Sequence, residues 1–283
     1  MSLTLNVAER VREWIQAWPA QPNAGALQRV LRFLSQWRSL VLANTYLEHH
    51  GPIIHGGLFG GMAYVTNATE GALMPRLLGT YEAELHPHLS AFLAEGVDCI
   101  VDVGCAEGYY AVGLARLAPH VIVYAHDTDP AAQVACKALA ARNKVEDRVI
   151  VGGAFEPADF EAFSGRRVLV IVDAEGAEVD VLQPSLAPAL ASMAIIVETH
   201  DVYRPGALET MVSRFSPTHD IVRVDEGPKV HDPPAWLKGL AELDKLIAVW
   251  EWRLQPTPWL IMRPKSVLRP QAGPDGSDGP GSG

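Results

Sequence analysis

The amino-acid sequence predicts an α/β protein: a Rossmann-like, seven-stranded, mostly parallel sheet with helices on both faces, preceded by an N-terminal helical extension. From residue 99 to residue 262, short apolar runs alternate with segments of helical periodicity, the pattern of strands joined by crossover helices. The run at 168–172 contains only valine, leucine and isoleucine, as expected of a central strand buried on both faces. A glycine turn, Gly104 to Gly108, joins the run at 99–103 to a helical pattern, and such a unit typically passes close to a ligand.

Composition narrows the class of protein. The chain has 283 residues, of which 48% are hydrophobic and 20% charged, enough for one large domain with an appendage. A net charge of −10 argues against a nucleic-acid partner, which would favour a basic face. Cys99, Cys105 and Cys136 lack metal-ligand spacing and suit buried, reduced thiols. With no leader pattern and no apolar run near the ~18 residues of a membrane span, we expect a cytoplasmic protein with no membrane partner.

Residues 1–60 are predicted to form a helical extension that ends in a glycine-rich loop. Apolar residues recur at three- and four-residue steps in two segments, and Asn23 is placed to cap the second helix. The tryptophans of this extension need a surface to cover, which is either the main domain or a second subunit, so a homodimer through these helices is one expectation. The pattern favours a packing role over a substrate lid. The glycine pairs between residues 49 and 64 suit either a mobile loop or a tight hairpin.

Residues 61–268 are predicted to form the main domain, and residues 269–283, made of glycine, serine, proline, aspartate and few other types, a disordered tail. Two prolines fall within one predicted helix and are expected to bend or split it. The predicted elements are a helix at 73–93, a strand at 99–103, helix 110–117, strand 121–125, helix 130–143, strand 148–151, helix 155–163, strand 168–172, helix 179–192, strand 193–197, helix 206–215, strand 221–224, helix 239–252 and strand 259–262.

The residues at the ends of the predicted strands indicate a nucleoside ligand. Gly104 and Gly108 lack the third glycine of a dinucleotide fingerprint, and Asp102, two residues before them, suits a ligand with a positive charge. Asp127 ends the second strand nineteen residues after Gly108, where an acid binds ribose hydroxyls in nucleotide-binding α/β folds. The segment at 152–155 places small residues before an aromatic one, which is compatible with an adenine slot.

The Asp-x-Gly-x-x-x-Gly motif at 102–108 resembles the first motif of class I S-adenosylmethionine-dependent methyltransferases, in which this acid lies near the methionine amino group. Asp-Ala-Glu-Gly-Ala-Glu at 173–178 and Glu-Thr-His at 198–200 resemble the FkbM-type methyltransferases. The resemblance spans about residues 96–224. It implies S-adenosylmethionine as cofactor and O-methylation of a hydroxyl on a small metabolite, polyketide or sugar. The proline-rich motif of many N-methyltransferases is replaced by Asp-Ala-Glu-Gly.

Two sets of site residues follow. His200 is the most natural general base, because it leaves a strand end and titrates near neutral pH, with Asp173 and Glu198 as its catalytic partners. The cofactor-binding set comprises Asp102, Gly104, Glu107, Gly108, Tyr109, Asp127, Thr128, Ala154, Phe155 and Asp173.

Alternatives stay open from the sequence. Asp173, Glu198 and His200 also suit a divalent metal that lowers the pKa of the acceptor, as in catechol-type methyltransferases, although metal-free clusters of this kind are commoner and we favour no metal. N-methylation is a further alternative. A nicotinamide-dependent oxidoreductase is disfavoured by the missing third glycine. A catalytically silent binding or scaffold protein on the same fold would keep the same cofactor residues.

Overall fold

The computed structural model describes residues 2–19, 21, 23–68 and 71–265. Ten α-helices and seven strands are present in these residues, and three short 3₁₀ segments lie at 83–85, 157–163 and 188–192. The helices are α1 (Leu3–Gln16), α2 (Ala24–His50), α3 (Leu73–Leu78), α4 (His86–Glu95), α5 (Tyr109–Leu117), α6 (Pro130–Arg142), α7 (Glu178–Val181), α8 (Ala207–Phe215), α9 (Ala235–Lys238) and α10 (Glu242–Ala248). The strands are β1 (Cys99–Val103), β2 (Ile122–His126), β3 (Val149–Gly152), β4 (Val168–Val172), β5 (Ala194–Glu198), β6 (His219–Val224) and β7 (Trp259–Pro264).

The predicted seven-stranded, mostly parallel sheet is confirmed. Its strand order is β3-β2-β1-β4-β5-β7-β6, with β7 antiparallel to both neighbours. Val103 at the end of β1 pairs with His126 of β2 and Val172 of β4, and Val172 pairs with Val197 of β5. The carboxyl ends of four parallel strands therefore meet at one edge. The order reverses direction between β1 and β4, which is where ligands bind in open α/β sheets.

Two hydrophobic layers enclose the sheet, one on each face. Successive residues of β1 alternate between them, since Ile100 lies in one cluster and Val101 in the other. All five residues of β1 and all five of β4 are buried, as the apolar run at 168–172 predicts. Helices therefore cover both faces, and the edge that carries the strand ends is left for a site.

The N-terminal segment is helical as predicted, and its second helix is packed into the main core. The Asn23 side chain accepts a hydrogen bond from the Ala26 N–H at 3.0 Å, confirming the predicted cap of α2. Leu42 and Tyr46 of α2 are 2% and 1% exposed and belong to the larger core cluster. The Tyr46 hydroxyl donates to the Ile53 carbonyl at 2.7 Å. The packing role predicted for this segment describes α2 well.

The glycine-rich segment after α2 forms a tight hairpin rather than a mobile loop. Ile53 and Ala63 form an antiparallel bridge. Phe59 is 1% exposed, and its ring packs edge-on against Tyr109 with centroids 5.1 Å apart. The apolar residues between the glycines are thus core residues.

Three predicted helices are shorter than the sequence pattern indicates. The helix predicted at 73–93 is divided into α3 and α4, because α3 ends at Gly79 and Glu82 takes a left-handed conformation with φ of 47°. The helix predicted at 179–192 is reduced to α7 and a 3₁₀ segment, since prolines interrupt it. The helix predicted at 239–252 extends only over α10.

The described residues contain no helix long and apolar enough to cross a membrane. The tail predicted to be disordered, residues 269–283, lies outside the described residues.

Candidate functional site

A cavity of about 410 Å³ opens at the carboxyl ends of β1 to β4. Its volume lies in the range of about 300–1,000 Å³ that is usual for small-molecule sites. Of the residues that the sequence assigns to cofactor binding, six line it: Gly104, Asp127, Thr128, Ala154, Phe155 and Asp173. The residues predicted from the strand ends come from four separate loops, and the structure places them around one cavity.

The first glycine of the turn is required by close backbone packing. Gly104 has φ of 84°, and a Cβ at this position would overlap the Asp173 carbonyl oxygen. The Gly104 N–H donates to the His126 carbonyl at 2.9 Å, which ties the turn to β2. Gly108 also has a positive φ, 96°, and a Cβ there would lie 2.8 Å from Cys136 Sγ. Only glycine suits either position.

Asp127 is held in place by backbone amides on both of its carboxylate oxygens. Its Oδ2 accepts from the Ala106 N–H at 2.9 Å, and its Oδ1 accepts from the Asp129 N–H at 2.8 Å. Ala106 has φ of 46°, a conformation that costs about 1–2 kcal/mol for a residue with a side chain. Asp127 therefore has a fixed orientation on the cavity wall. Asp129 caps α6 by accepting from the Ala131 N–H at 2.9 Å.

The charged side chains that line this cavity are acidic. Its described lining contains no lysine or arginine but six carboxylates, Asp127, Asp129, Glu156, Asp173, Glu175 and Asp180. Asp180 forms an ion pair with Arg204, which stands outside the lining. A pyrophosphate would be repelled here, whereas a ligand carrying a sulfonium and an ammonium group would be attracted. The acidic lining therefore fits the sulfonium and ammonium groups of S-adenosylmethionine.

A second cavity of about 300 Å³ adjoins the first. The two share Gly104, Ala106, Asp173 and Glu175. The remaining described lining of the second cavity is mostly polar and comes from α2, from the α3–α4 segment, from the ends of β5 and from the loop before β7: Arg32, Gln36, Gly71, Arg76, Tyr81, Glu198, His200, Val202, Tyr203, Glu251, Trp252, Arg253, Leu254, Gln255 and Thr257. A molecule in each cavity would meet the other at Asp173.

The three predicted catalytic residues lie together in this second cavity. His200 Nε2 is 3.4 Å from Glu198 Oε2 and 3.5 Å from Asp173 Oδ1. On the other side of the ring, Nδ1 lies 3.7 Å from Glu178 Oε2. Glu178, which is fully buried, also accepts the His200 backbone N–H at 2.8 Å. His200 is thus surrounded by three carboxylates and fixed at the backbone.

These carboxylates change the role expected of His200. Burial lowers its pKa, but the contacts with Glu178, Glu198 and Asp173 outweigh burial and raise the pKa to about 11. At neutral pH His200 is therefore an imidazolium, and the role of free general base predicted from its position at a strand end does not fit this arrangement. Burial and the charge of Glu198 raise the pKa of Asp173 well above its usual range. Burial also raises the pKa of Glu198, yet His200 and Arg253 outweigh it and bring the pKa to about 2.

A buried guanidinium that the sequence pattern did not reveal supports this cluster. Arg253 forms an ion pair with Glu198, donates from Nη2 to Glu82 Oε1 at 2.6 Å and from Nε to Glu251 Oε2 at 3.1 Å. Lys229 adds a second cation 2.6 Å from Glu251. Glu82 and Glu198 belong to distant parts of the chain, so no spacing in the sequence signals that they meet. Removing the cation from such a group typically costs about 3–5 kcal/mol.

Four residues of the predicted cofactor set lie behind the cavity wall instead of lining it. Asp102 is 2% exposed and lies near the Ala111 N–H at the start of α5. Glu107 is 1% exposed and accepts from the Tyr64 hydroxyl. Gly108 is part of the turn, and Tyr109 is packed among other aromatic rings. These residues support the glycine turn from its core side, because the side chains of a buried strand and of the helix that follows point into the core.

The structure also brings together a set of atoms suited to a divalent cation. One ligand atom each from Asp173, Glu198 and His200 lies within 4.8 Å of the other two. Two carboxylates and an imidazole are ligands that Mg²⁺, Mn²⁺ or Zn²⁺ accept. The donor set therefore fits a cation, provided that His200 has lost its proton.

No family model matches this sequence, and no curated protein matches it either. Among solved structures, the chain is similar to an O-methyltransferase from Bacillus cereus in complex with SAH, at 12% identity and a TM-score of 0.43 over 80% of this chain and 90% of that one. It is also similar to a human methyltransferase 10 domain-containing protein, at 9% identity and a TM-score of 0.46 over 81% and 97% of the two chains. A third similar structure is the precorrin-6y C5,15-methyltransferase of Geobacter metallireducens, at 12% identity and a TM-score of 0.38 over 62% and 87%.

Proposed function

We propose that this chain is an S-adenosylmethionine-dependent methyltransferase that methylates a hydroxyl group. The observation that carries the proposal is the pair of adjoining cavities. One is acidic, with no lysine or arginine among its described lining residues, which suits a cationic nucleoside, and the other holds a carboxylate–imidazolium cluster. The two meet at Asp173, where a methyl donor and an acceptor would face each other.

The residues of the chain have separable tasks in this reaction. Asp127 is oriented to bind the ribose hydroxyls, and Phe155 stands beside the small residues expected to admit adenine. S-adenosylmethionine, when bound, supplies an electrophilic methyl carbon on a sulfonium. Methyl transfer is an in-line displacement, so alignment of donor and acceptor contributes much of the rate.

An alcohol acceptor must also lose its proton as the new bond forms. In its ionised form Asp173 is the better proton acceptor on two grounds: it lines both cavities, and its side chain is 27% exposed. His200 and Glu198 then act as a charged pair that orients Asp173. The Asp173 carboxylate would take the proton from the hydroxyl oxygen as that oxygen bonds to the methyl carbon.

The finer assignments are proposals on the strength of sequence resemblance. The FkbM-like motifs at 173–178 and 198–200 favour a small metabolite, polyketide or glycan hydroxyl as acceptor, in place of a nitrogen. We propose further a cytoplasmic enzyme without nucleic-acid or membrane partners, able to pair as a homodimer through the N-terminal helices. The alternative outside the enzymes is a catalytically silent binding or scaffold protein on the same fold, because a bound cofactor alone does not demonstrate turnover.

The test is calorimetric titration with S-adenosylhomocysteine and, separately, with NAD. We expect saturable binding of the first and none of the second, since the cavity offers no cation for a pyrophosphate. Asp127→Ala should weaken S-adenosylhomocysteine binding by about tenfold to a hundredfold, the usual effect of removing a hydrogen-bonded charge. Asp147→Ala, an exposed acid at the turn before β3, is the matched control and should bind as the wild type does. Binding of NAD alone would overturn the proposal.

Metal-assisted hydroxyl methylation is the second candidate, favoured by the close approach of Asp173, Glu198 and His200. A bound cation would lower the pKa of the acceptor hydroxyl. Titration with MgCl₂ or MnCl₂ in buffers of different ionisation enthalpy tests this candidate. Saturable binding with release of about one proton would support it, because His200 must deprotonate to act as a ligand. Turnover that is unchanged by EDTA and by added Mg²⁺ would exclude it.

A further inference from the structure

Two helices present leucines to solvent on the same side of the molecule. Leu27 and Leu31, one turn apart on α2, are 56% and 67% exposed. Leu243 and Leu246 on α10 are each 66% exposed. Scattered exposed leucines are ordinary, but a contiguous patch on two packed helices marks a site for an apolar ligand or partner.

Two of these leucines, Leu31 and Leu246, line a groove of about 400 Å³ between the two helices. Leu31 and Gln28 of α2 form one wall, Leu246 and Ile247 of α10 form the other, and Trp250 lies at one end. The groove contrasts with the polar cavity at Asp173, since no carboxylate is among its described lining residues.

The groove and the cavity that holds His200 adjoin at a single side chain, Arg32 of α2. On the groove side its guanidinium lies over the Trp250 ring, 5.3 Å from the centroid. On the cavity side it donates to the Trp252 carbonyl and, at 3.2 Å, to the Arg253 carbonyl. Arg32 therefore stands between the cavity and the groove.

We propose that the acceptor is amphipathic: its hydroxyl-bearing part lies in the cavity at Asp173, and its apolar chain lies along the groove between α2 and α10. This inference rests on the proposed methyltransferase function. An apolar chain fits the groove better than a second copy of this protein does. The groove has the volume of a small-molecule site. Its leucines Leu31 and Leu246, even taken together with the exposed Leu27 and Leu243, supply a few hundred Å², roughly half of the ~800 Å² per partner that a stable interface needs.

The experiment uses methyl, hexyl and octyl β-D-glucopyranoside as probes, each below its micelle concentration, titrated into the full chain with and without S-adenosylhomocysteine. Affinity should rise with chain length by about two- to threefold per methylene, somewhat less than complete burial would give, because the groove is open on one side. The double variant Leu31→Gln/Leu246→Gln should lose this dependence. Leu186→Gln, which alters a leucine 56% exposed outside the groove, is the matched control and should keep it.

The outcomes separate the two proposals. Equal affinity for the three glucosides would overturn the groove assignment, even where S-adenosylhomocysteine binds. Failure of S-adenosylhomocysteine to bind, with chain-length dependence preserved, would overturn the methyltransferase proposal and leave an apolar-chain site. Sedimentation of both proteins gives the remaining outcome. A wild-type dimer that becomes monomeric in the double variant would make the groove a subunit interface and would also overturn the inference.

Discussion

At the scale of single residues, Asp102 shows how a motif residue can act from behind a site. Its carboxylate is buried under the glycine turn near the Ala111 N–H, and its Oδ2 has no hydrogen-bond partner among the described residues. Burial raises its pKa from 3.8 to about 7. The turn is thus built over an acid that is neutral in mildly acidic solution and charged in mildly alkaline solution.

We expect Asp102→Asn to remove a pH dependence of stability. Because the pKa of Asp102 is raised in the folded state, the folded protein binds more protons than the unfolded chain does between pH 3.8 and about 7. The free energy of unfolding of the wild type therefore falls as the pH rises through this range. The amide carries no such penalty. The free energy of unfolding of the variant, relative to wild type, should therefore increase by about 2 kcal/mol between pH 5.5 and 8.5, measured by urea denaturation.

Asp147→Asn, an exposed acid far from the turn, is the control and should show no such change. A constant difference for Asp102→Asn would mean that Asp102 does not titrate between pH 5.5 and pH 8.5 in the folded protein. S-adenosylhomocysteine binding provides a separate readout. An affinity within about threefold of wild type is expected for a residue behind the wall, whereas a loss of more than tenfold would restore the direct contact with the cofactor that the motif predicts.

Some site residues lie at the ends of strands, and others come from irregular segments. Gly104, Asp127, Asp173, Glu198 and His200 were predictable because each follows an apolar strand, and parallel strands end at one edge. Glu82, Glu251 and Arg253 were not predictable, since they come from two irregular segments that lie far apart in the sequence. Their meeting depends on tertiary packing, for which a single sequence carries no periodic signal.

At the scale of elements, strands were predicted more accurately than helices. Each predicted strand begins and ends within two residues of the observed strand. The agreement is close because a buried strand is an uninterrupted apolar run with clear limits. The helix predicted at 73–93 is not continuous, for a physical reason. Its apolar spacing continues through residues 79–85, but the backbone leaves the helical conformation there, at Gly79 and again at Glu82. That break carries Glu82 into contact with Arg253 and Tyr110, so the departure from helical pattern coincides with the site.

The helix α2 links the N-terminal segment to the acceptor cavity. Arg32 holds the carbonyls of Trp252 and Arg253, and Arg38 forms a two-bond ion pair with Asp244 of α10, both bonds 2.7 Å long. Trp252 has φ of 68°, a strained conformation for a bulky residue, and Arg32 contacts it directly. The segment before β7 is therefore kept in shape by a helix more than 200 residues earlier in the chain.

At the scale of the whole molecule, the N-terminal segment has two parts with different ties to the core. Helix α1 buries one residue, Val7, and contacts α2 through Trp14 and Phe33, whose rings lie 4.9 Å apart. Helix α2 buries Leu42 and Tyr46 in the main core. Packing thus continues across the expected boundary at residue 60, because the hairpin and α2 complete one face of the sheet.

We therefore expect two truncations to behave differently. A chain that starts at residue 19 should fold, bind S-adenosylhomocysteine and melt cooperatively only a few degrees below the full chain, since it loses little buried surface. A chain that starts at residue 51 should lack a cooperative transition. Losing one large core side chain costs about 2–5 kcal/mol, and α2 contributes several to a total stability of about 5–15 kcal/mol. Calorimetric melting and near-ultraviolet circular dichroism measure both. A cooperative, ligand-binding chain from residue 51 onward would show instead that the sheet and its other helices form a complete folding unit without α2.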